Sequence, residues 1–373
     1  MIPVFRPSFD HEEIEALREP FATGWVGTGP KTKQFEEQFA AFTHVAHAVA
    51  VNSCTSALYL TLRAAGVEGG EVITPAMTFV ATNHAILAAK ATPAFVDIEA
   101  TTLNVDPHDV AQRITPRTRA VIAMHYGGHS CRLDELLEIT RARGIPLIED
   151  CAHATGGRYR ERPLGSLGAF GCFSFQAIKN VATGDGGMIT LSDAAVAERL
   201  RRMTWLGISR DTWARSSSGG YNWEYDVTEV ELKYQMNDIA AAIGLVQLRK
   251  LDRTNGRRRA LAARYSAALR DLDGVEVPRE ESYAQSSWHN YVIKVARAPW
   301  RDRLVDFLRA REIAAGVHYM PSHLYRLYEP YRVALPVTEE VWLRVVTLPL
   351  FPDLSDADQD RVIAAVRDFR RQV

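Results

Sequence analysis

Residues 174–187, with the sequence SFQAIKNVATGDGG, place one lysine between an apolar run and a glycine-rich turn. Elsewhere the chain mostly uses arginine where a surface cation would serve, which makes Lys179 a candidate for chemistry. A lysine amine can form an imine with a carbonyl group, whereas an arginine guanidinium stays protonated and cannot. The position of Lys179 therefore predicts a covalent role for its amine.

Further polar and aromatic side chains follow the ends of other strand-like runs. They are Asp150 and His153 in IPLIEDCAH, Ser174 at the end of FGCFSF, Ser53, Thr55 and Ser56 in VAVNSCTSAL, and Phe79 in ITPAMTFVATN. Ligands of an open α/β sheet bind beyond the carboxyl ends of its strands, so we expect these side chains to lie close together. The hydroxyls and free N–H groups of the helix that starts after Ser53 could hold a phosphate.

This combination of groups matches the requirements of pyridoxal phosphate. Lys179 would bind the cofactor covalently, Asp150 would keep its pyridine nitrogen protonated, and Phe79 would cover its ring. Each residue alone also has an ordinary structural explanation. Asp150 could simply end a strand, Phe79 could belong to the core, and the hydroxyls at the helix start could be plain caps. Their order and spacing along the chain favour the cofactor site.

The elements that would position these residues alternate in type along the chain. From about residue 45 to residue 205, short apolar runs alternate with longer amphipathic segments such as TSALYLTLRAAG and RLDELLEITRARG. This alternation predicts an α/β fold, with a mostly parallel central sheet flanked by helices on both faces. The predicted strands are HAVAVN, EVITP, PAFVDI, RAVIAMHY, IPLIED, FGCFSF and GGMITLS.

The second half of the chain follows a different pattern. Residues 209–227 are rich in Trp, Ser and Gly and predict a long loop, which in a compact domain is often functional. Residues 236–272 have helical periodicity over a length that suggests two helices joined near Asn255 and Gly256. We place a domain boundary there, between a large domain at 1–255 and a smaller C-terminal α/β domain at 256–373.

The composition is that of an ordinary globular protein. The 373 residues carry 44 Lys and Arg against 45 Asp and Glu, a net charge of −1, so we expect neither a nucleic acid partner nor an anionic membrane surface. No apolar run is long enough to span a bilayer, and the N-terminus lacks the layout of a signal peptide. These features predict a cytoplasmic protein.

Cysteine and histidine usage gives little sign of a disulfide framework or a metal site. The four cysteines are far apart in a long chain, which favours reduced thiols; they are Cys54, Cys131, Cys151 and Cys172. The segments HYGGHSC and EDCAH combine histidine, cysteine and carboxylate, but their spacings match no standard zinc pattern. We therefore expect no metal.

Longer motifs, in order over nearly the whole chain, extend this interpretation. They are NSCTSAL, TPAMTFVATNHAI, IEDCAHATGG, GAFGCFSFQAIKN, YQMNDIAAAIGLVQL, WHNYVIKV, VHYMPSHL and TLPLFP. They resemble the sugar aminotransferases of the DegT/DnrJ/EryC1/StrS family, in the fold type I group of pyridoxal phosphate enzymes. The resemblance implies an aspartate aminotransferase-like fold and pyridoxal 5'-phosphate as the cofactor.

The resemblance also implies a role for each matching residue. Lys179 matches the Schiff-base lysine, Asp150 the partner of the pyridine nitrogen, and His153 the position beside the ring hydroxyl. Phe79 matches an aromatic side chain stacked on the ring. The residues that match phosphate ligands are Thr55, Ser56 and Ser174.

The same resemblance implies a homodimer with shared active sites. In this family the neighbouring subunit completes the phosphate site from the segment before the long helix. Here that segment reads KYQM, so Lys233 and Gln235 are both candidates for the phosphate contact.

The implied activity moves an amino group from an amino acid, glutamate or glutamine, to a keto sugar on a nucleoside diphosphate, with pyridoxamine 5'-phosphate as an intermediate. The stretch FSFQAIKN resembles members that act on a 4-keto-6-deoxyhexose, which we expect as the acceptor. The expected substrate contacts are the loop from Arg210 to Tyr221 and, in VHYMPSHL, His318, Tyr319 and His323.

Three other functions compete with this one. A nicotinamide-dependent sugar oxidoreductase would use TGWVGTGP as its dinucleotide loop, but that segment follows a predicted helix instead of a strand. A pyridoxal-dependent sugar dehydratase would carry histidine in place of the Schiff-base lysine, so Lys179 favours transamination. A non-catalytic sensor on this fold should lack part of the cofactor set, and none of that set is missing.

Overall fold

The computed structural model describes residues 1–209 and 224–372. Its strands are β1 His47–Val51, β2 Glu71–Pro75, β3 Thr92–Val96, β4 Thr118–Met124, β5 Leu147–Asp150, β6 Arg158–Tyr159, β7 Arg162–Pro163, β8 Phe170–Ser174, β9 Gly187–Leu191, β10 Val275–Glu276, β11 Ala284–Gln285, β12 Tyr291–Val295 and β13 Val345–Leu348. They form a seven-stranded sheet in the order β1-β9-β8-β5-β4-β2-β3 and two three-stranded sheets, β10-β12-β13 and β11-β6-β7.

The seven-stranded sheet is mostly parallel, which confirms the predicted fold class. Strand β9 runs antiparallel to its neighbours β1 and β8, and the other pairs are parallel. Every strand predicted from an apolar run is present, because strands buried on both faces keep an almost continuous apolar sequence.

Helices cover both faces of this sheet. The helices are His11–Ala16, Arg18–Thr23, Pro30–Thr43, Cys54–Ala64, Val80–Ala88, Pro107–Arg113, Leu133–Arg143, Ala194–Thr204, Asp238–Leu269, Ala298–Arg309, Pro336–Val341 and Asp356–Gln372. Neighbouring residues of β4 point to opposite faces, so Val121 and Ile122 belong to different apolar cores. Val121 shares its core with Phe35 and Leu136, and Ile122 shares its core with Leu60.

The structure shows that the prediction of two helices joined near Asn255 and Gly256 is wrong. Asp238–Leu269 is one continuous helix of 32 residues. Asn255 is buried there, and its side chain bonds to the loop that contains Thr155 and to Asn180. These tertiary hydrogen bonds outweigh the low helix propensity of an Asn-Gly pair.

A separate apolar core surrounds β12, β13 and the last helix. It contains Leu261, Tyr291 and Val362, together with Ile2 from the start of the chain. The division into two domains at residue 255 remains our proposal, and this core supports it. In that division, the first residues of the chain would accompany the smaller domain.

Two sequence expectations concern other regions. In the part of the chain that the structure describes, no helix has both the length and the apolar character that crossing a membrane requires. The proposed substrate loop from Arg210 to Tyr221 lies outside the described residues.

Candidate active site

The polar residues predicted from the sequence meet at one edge of the large sheet. Asp150 and Ser174 are the last residues of β5 and β8, and Ser53 follows β1 closely. Because these three strands are parallel to one another, their carboxyl ends lie side by side. Lys179 lies in the turn between β8 and β9, at the same edge.

Asp150 is a buried carboxylate with few partners. It is 2% exposed, and it accepts hydrogen bonds from the Thr82 hydroxyl at 2.7 Å and from the Ala152 N–H at 3.1 Å. Burial raises the pKa of Asp150, although these hydrogen bonds and the Lys179 charge oppose that effect. Among the described residues no cation forms an ion pair with it, so a protonated ring nitrogen is the kind of partner that this site fits.

The Lys179 amine is buried near Asp150, close enough for their charges to interact. Burial lowers the pKa of Lys179 to about 8, against the opposing effects of Cys54 and Asp150. A lysine with such a pKa has a substantial neutral fraction near pH 8, and only the neutral amine can attack a carbonyl or accept a proton. Nε2 of His289 lies 3.4 Å from the Lys179 Nζ.

The helix Cys54–Ala64 begins with groups that suit a phosphate. Ser53 caps it by accepting a hydrogen bond from the Ser56 N–H at 3.1 Å. The preceding N–H groups, of Cys54 and Thr55, belong to the first turn, which has no partners within the helix. The Thr55 side chain is exposed, so these donors and its hydroxyl are open to an anion at the positive end of the helix.

Gly187 allows this helix start to lie against the sheet. It pairs with Val51 of β1 on one side and with Ser174 of β8 on the other. A Cβ atom at Gly187 would lie 2.6 Å from the Ser53 carbonyl carbon and 2.8 Å from the Cys54 nitrogen. Only glycine therefore brings the helix start this close to Ser174, and we call the region between them the cradle.

His153 and Tyr319 form a hydrogen bond of known direction. The Gly127 N–H donates to Nδ1 of His153 at 3.3 Å, which leaves the ring hydrogen on Nε2. That hydrogen is donated to the Tyr319 oxygen at 2.9 Å, so the Tyr319 hydroxyl hydrogen is available to a ligand. Burial lowers the pKa of His153 well below its usual value and raises that of Tyr319, so both side chains are neutral at pH 7.

An open cleft lies beside these residues. Phe79 begins the helix Val80–Ala88, and its side chain is 57% exposed with its ring 5.9 Å from that of Tyr319. Both residues line a cleft of about 360 Å³ that also includes Arg301 and Trp342. An exposed aromatic ring at this edge of the sheet is suited to cover a flat cofactor.

The structure separates the three residues expected to contact substrate. His318 packs edge-on against Phe5, bonds to Thr347 at 2.8 Å, and lies near Lys179, and burial lowers its pKa to about 4. His323 is fully buried in a different place, where its Nε2 lies 3.1 Å from Glu339. The structure thus places Tyr319 at the cleft and His318 near Lys179, and its contacts for His323 are structural.

The backbone of Lys233 and Gln235 lies beside Trp205 and β1 of the same chain. Gln235 forms a β-bridge with Val51, and the Lys233 amine lies over the Trp205 ring at 5.0 Å. The same segment exposes apolar side chains, since Val230 is 90% exposed and Leu232 is 65% exposed.

A second polar cluster lies directly behind Asp150. His125, Glu149 and Cys151 place ligand-type atoms within 4.8 Å of one another. Glu149, however, accepts hydrogen bonds from His125 Nε2 and from three backbone N–H groups, of Gly165, Leu167 and Gly168. These donors satisfy the carboxylate and anchor the end of β5 that carries Asp150. That no metal binds remains a prediction.

The fold is that of the pyridoxal phosphate-dependent aminotransferases. The chain belongs to the DegT/DnrJ/EryC1/StrS aminotransferase family, whose sequence model matches residues 7–367. It is therefore a pyridoxal phosphate-dependent sugar aminotransferase, and the predicted family, fold class, cofactor and enzyme class are confirmed.

Individual relatives match the chain over almost its full length. The spore coat polysaccharide biosynthesis protein SpsC of Bacillus subtilis (strain 168) is 41% identical over 377 residues, covering 99% of this chain and 97% of SpsC. The crystal structure of the aminotransferase TlmJ from Streptoalloteichus hindustanus is 38% identical, with a TM-score of 0.94 and coverage of 100% and 99%. Spr1654 of Streptococcus pneumoniae, in its PMP form, is 31% identical, with a TM-score of 0.94 and full coverage of both chains.

Proposed function

We propose that this enzyme transfers the amino group of glutamate or glutamine to a keto sugar on a nucleoside diphosphate, with a 4-keto-6-deoxyhexose as the acceptor. The observation that carries the proposal is the buried Lys179 amine, whose pKa is lowered to about 8, near enough to the Asp150 carboxylate for the two charges to interact. The open cleft at Phe79 and Tyr319, where the Tyr319 hydroxyl bonds to His153, would admit a sugar ring.

Residues at or after the ends of four strands would hold the cofactor. Asp150 would face the ring nitrogen, His153 the ring hydroxyl, and Phe79 the face of the ring. The phosphate would be held by Thr55, Ser56 and Ser174. When bound, pyridoxal phosphate supplies an electron sink for the bonds at the donor α-carbon.

Lys179 would carry the protons of both half-reactions. Once released as a free amine, its Nζ takes the proton from the donor α-carbon, and it performs the reverse transfer with the acceptor sugar. A pKa of about 8 suits this task, because the amine can both accept and return a proton near neutral pH.

Tyr319 would orient the substrate. Its oxygen accepts the His153 hydrogen bond, so its own hydrogen can be donated to an oxygen of the sugar or of the donor carboxylate. Burial raises the pKa of Tyr319, which keeps this hydrogen in place at the pH of the reaction.

We further propose a cytoplasmic homodimer in which Lys233 or Gln235 reaches the phosphate of the partner subunit. The exposure of Val230 and Leu232 supports an interface beside these residues, because apolar side chains of this size gain most from burial. All four cysteines are buried free thiols, as expected in a reducing compartment.

A substrate panel tests the proposal. Nucleotide-linked 3-keto and 4-keto sugars are each incubated with glutamate or glutamine and the loaded enzyme, and products are identified by mass spectrometry. We expect an amino sugar from the 4-keto-6-deoxyhexose and none with Lys179→Ala. An amino sugar from 3-keto sugars alone would overturn the assigned carbon, and loss of water without gain of nitrogen would favour a dehydratase.

A further inference from the structure

We infer that His289 is a positioning residue for Lys179, and that it ends a directional chain of hydrogen bonds that begins at a backbone carbonyl. The inference rests on the role proposed above for Lys179. His289 lies in the loop before β12, far from Lys179 in sequence, and it is 1% exposed.

Asn255, at the far end, sets the direction of this series of hydrogen bonds. The Asn255 Nδ2 donates to the carbonyl oxygen of Thr155 at 3.0 Å, so its Oδ1 is the atom that faces Asn180. This oxygen accepts a hydrogen bond from the Asn180 Nδ2 at 2.8 Å. The same Nδ2 donates its second hydrogen to the carbonyl oxygen of Ser287 at 2.9 Å.

These contacts fix the tautomer of His289. Because both amide hydrogens of Asn180 are in use, its Oδ1 must face Nδ1 of His289, at 3.2 Å. An amide oxygen cannot donate, so Nδ1 carries the ring hydrogen and Nε2 carries a lone pair. That lone pair faces the Lys179 amine at 3.4 Å and can only accept a hydrogen bond from it.

Packing holds the imidazole in this orientation. The Phe5 ring stacks on it at 5.2 Å with an interplanar angle of 2°, and the His153 ring lies 4.4 Å away. Burial lowers the pKa of His289 well below its usual value, so the ring is neutral and its lone pair is free. A long, flexible lysine thereby gains a fixed acceptor that keeps its amine inside the site when it is not covalently bound.

An acceptor at this position favours the ammonium form of Lys179 over the neutral amine. Other groups also act on this amine or on His289, and their charges set the background for any pH measurement. They are Asp150, Cys54, His153, His318 and Arg258. Removing the acceptor while these groups remain should lower the pKa of Lys179 by about one pH unit, the size of one hydrogen bond to a charged group.

Two substitutions at His289 separate positioning from packing. In His289→Asn the amide can reach Asn180 but not Lys179, whereas in His289→Gln the amide oxygen can replace Nε2. The pKa of Lys179 is measured without cofactor, from the pH dependence of its acetylation in competitive labelling with mass spectrometry. Turnover and melting temperature are measured on the same preparations.

We expect His289→Asn to lower the pKa of Lys179 by about one pH unit and turnover roughly tenfold, with His289→Gln close to wild type in both. The inference is overturned if His289→Asn matches wild type in both measurements, or if both variants lose activity equally with an unchanged pKa. If His289→Asn does not fold, Asn180→Asp takes its place, because its carboxylate would favour the protonated form of His289, which has no lone pair on Nε2. An unchanged pKa of Lys179 in Asn180→Asp would also overturn the inference. Activity of Lys179→Ala would instead refute the proposed function.

Discussion

Substituting Gly187 by alanine should weaken cofactor binding, and only by weakening the contacts that hold the cofactor phosphate. The new Cβ would lie 2.6 Å from the Ser53 carbonyl carbon, so the helix start must move by about 0.8 Å to reach ordinary contact at 3.4 Å. The atoms in contact are backbone atoms, which cannot rotate away as a flexible side chain could. Since Gly187 pairs directly with Ser174, this shift widens the gap between Ser174 and the helix that carries Thr55.

The expected loss is that of one charge-assisted hydrogen bond to the phosphate, about 1.5–3 kcal/mol, or roughly ten- to a hundredfold in Kd. The strain should also lower the free energy of unfolding by about 1–3 kcal/mol. The assay titrates cofactor-free protein with pyridoxal phosphate and, separately, with pyridoxal, which has no phosphate. Gly187→Ala should raise the Kd of pyridoxal phosphate and leave that of pyridoxal unchanged.

The matched control is Gly256→Ala, in the long helix. There the nearest heavy atom to a new Cβ is the end of the Arg259 side chain at 3.9 Å. This substitution should raise the free energy of unfolding by about 0.5–1 kcal/mol and leave cofactor binding unchanged. If folded Gly187→Ala binds pyridoxal phosphate as tightly as wild type, the cradle does not hold the phosphate.

Three further outcomes are expected. Asp150→Asn should retain the cofactor but slow turnover by about a hundredfold, roughly 2.7 kcal/mol, because an amide cannot keep the ring nitrogen protonated; an unchanged rate would place that role elsewhere. Covalent capture of the cofactor by cofactor-free protein should accelerate from pH 7 to pH 9, because Lys179 loses its proton with a pKa of about 8, and a flat stopped-flow profile would contradict this. A Lys179→Ala chain mixed with a Lys233→Ala/Gln235→Ala chain should regain one intact site per mixed dimer if the double variant is inactive alone. No recovery after confirmed subunit exchange would show that one chain completes the site.

The sequence predicted those parts of the site that depend on strand ends. Asp150, Ser174 and Ser53 each follow an apolar run, and parallel pairing then brings such positions to one edge of the sheet whatever the details of packing. The positions of Lys179 and Phe79 beside them follow from the same topology. Local patterns were sufficient there because one geometric rule places all of these residues.

The amino-acid sequence carries no comparable signal for contacts between distant segments. His289 reaches Lys179 across 110 residues of sequence, and its role depends on the orientation of two asparagine amides. The motif WHNYVIKV indicates the family but assigns no role to its histidine. The long helix was divided in the sequence prediction for a related reason, because the tertiary bonds of Asn255 are invisible in local propensity.

The central claim is that Lys179 is the residue that binds the cofactor covalently. The most direct measurement reduces the cofactor-loaded protein with borohydride, digests it, and locates the modified lysine by mass spectrometry. The account predicts that the reduced cofactor is attached to Lys179 in the peptide that contains SFQAIKN, and that Lys179→Ala carries no such label. Stoichiometric attachment to any other lysine would contradict the account.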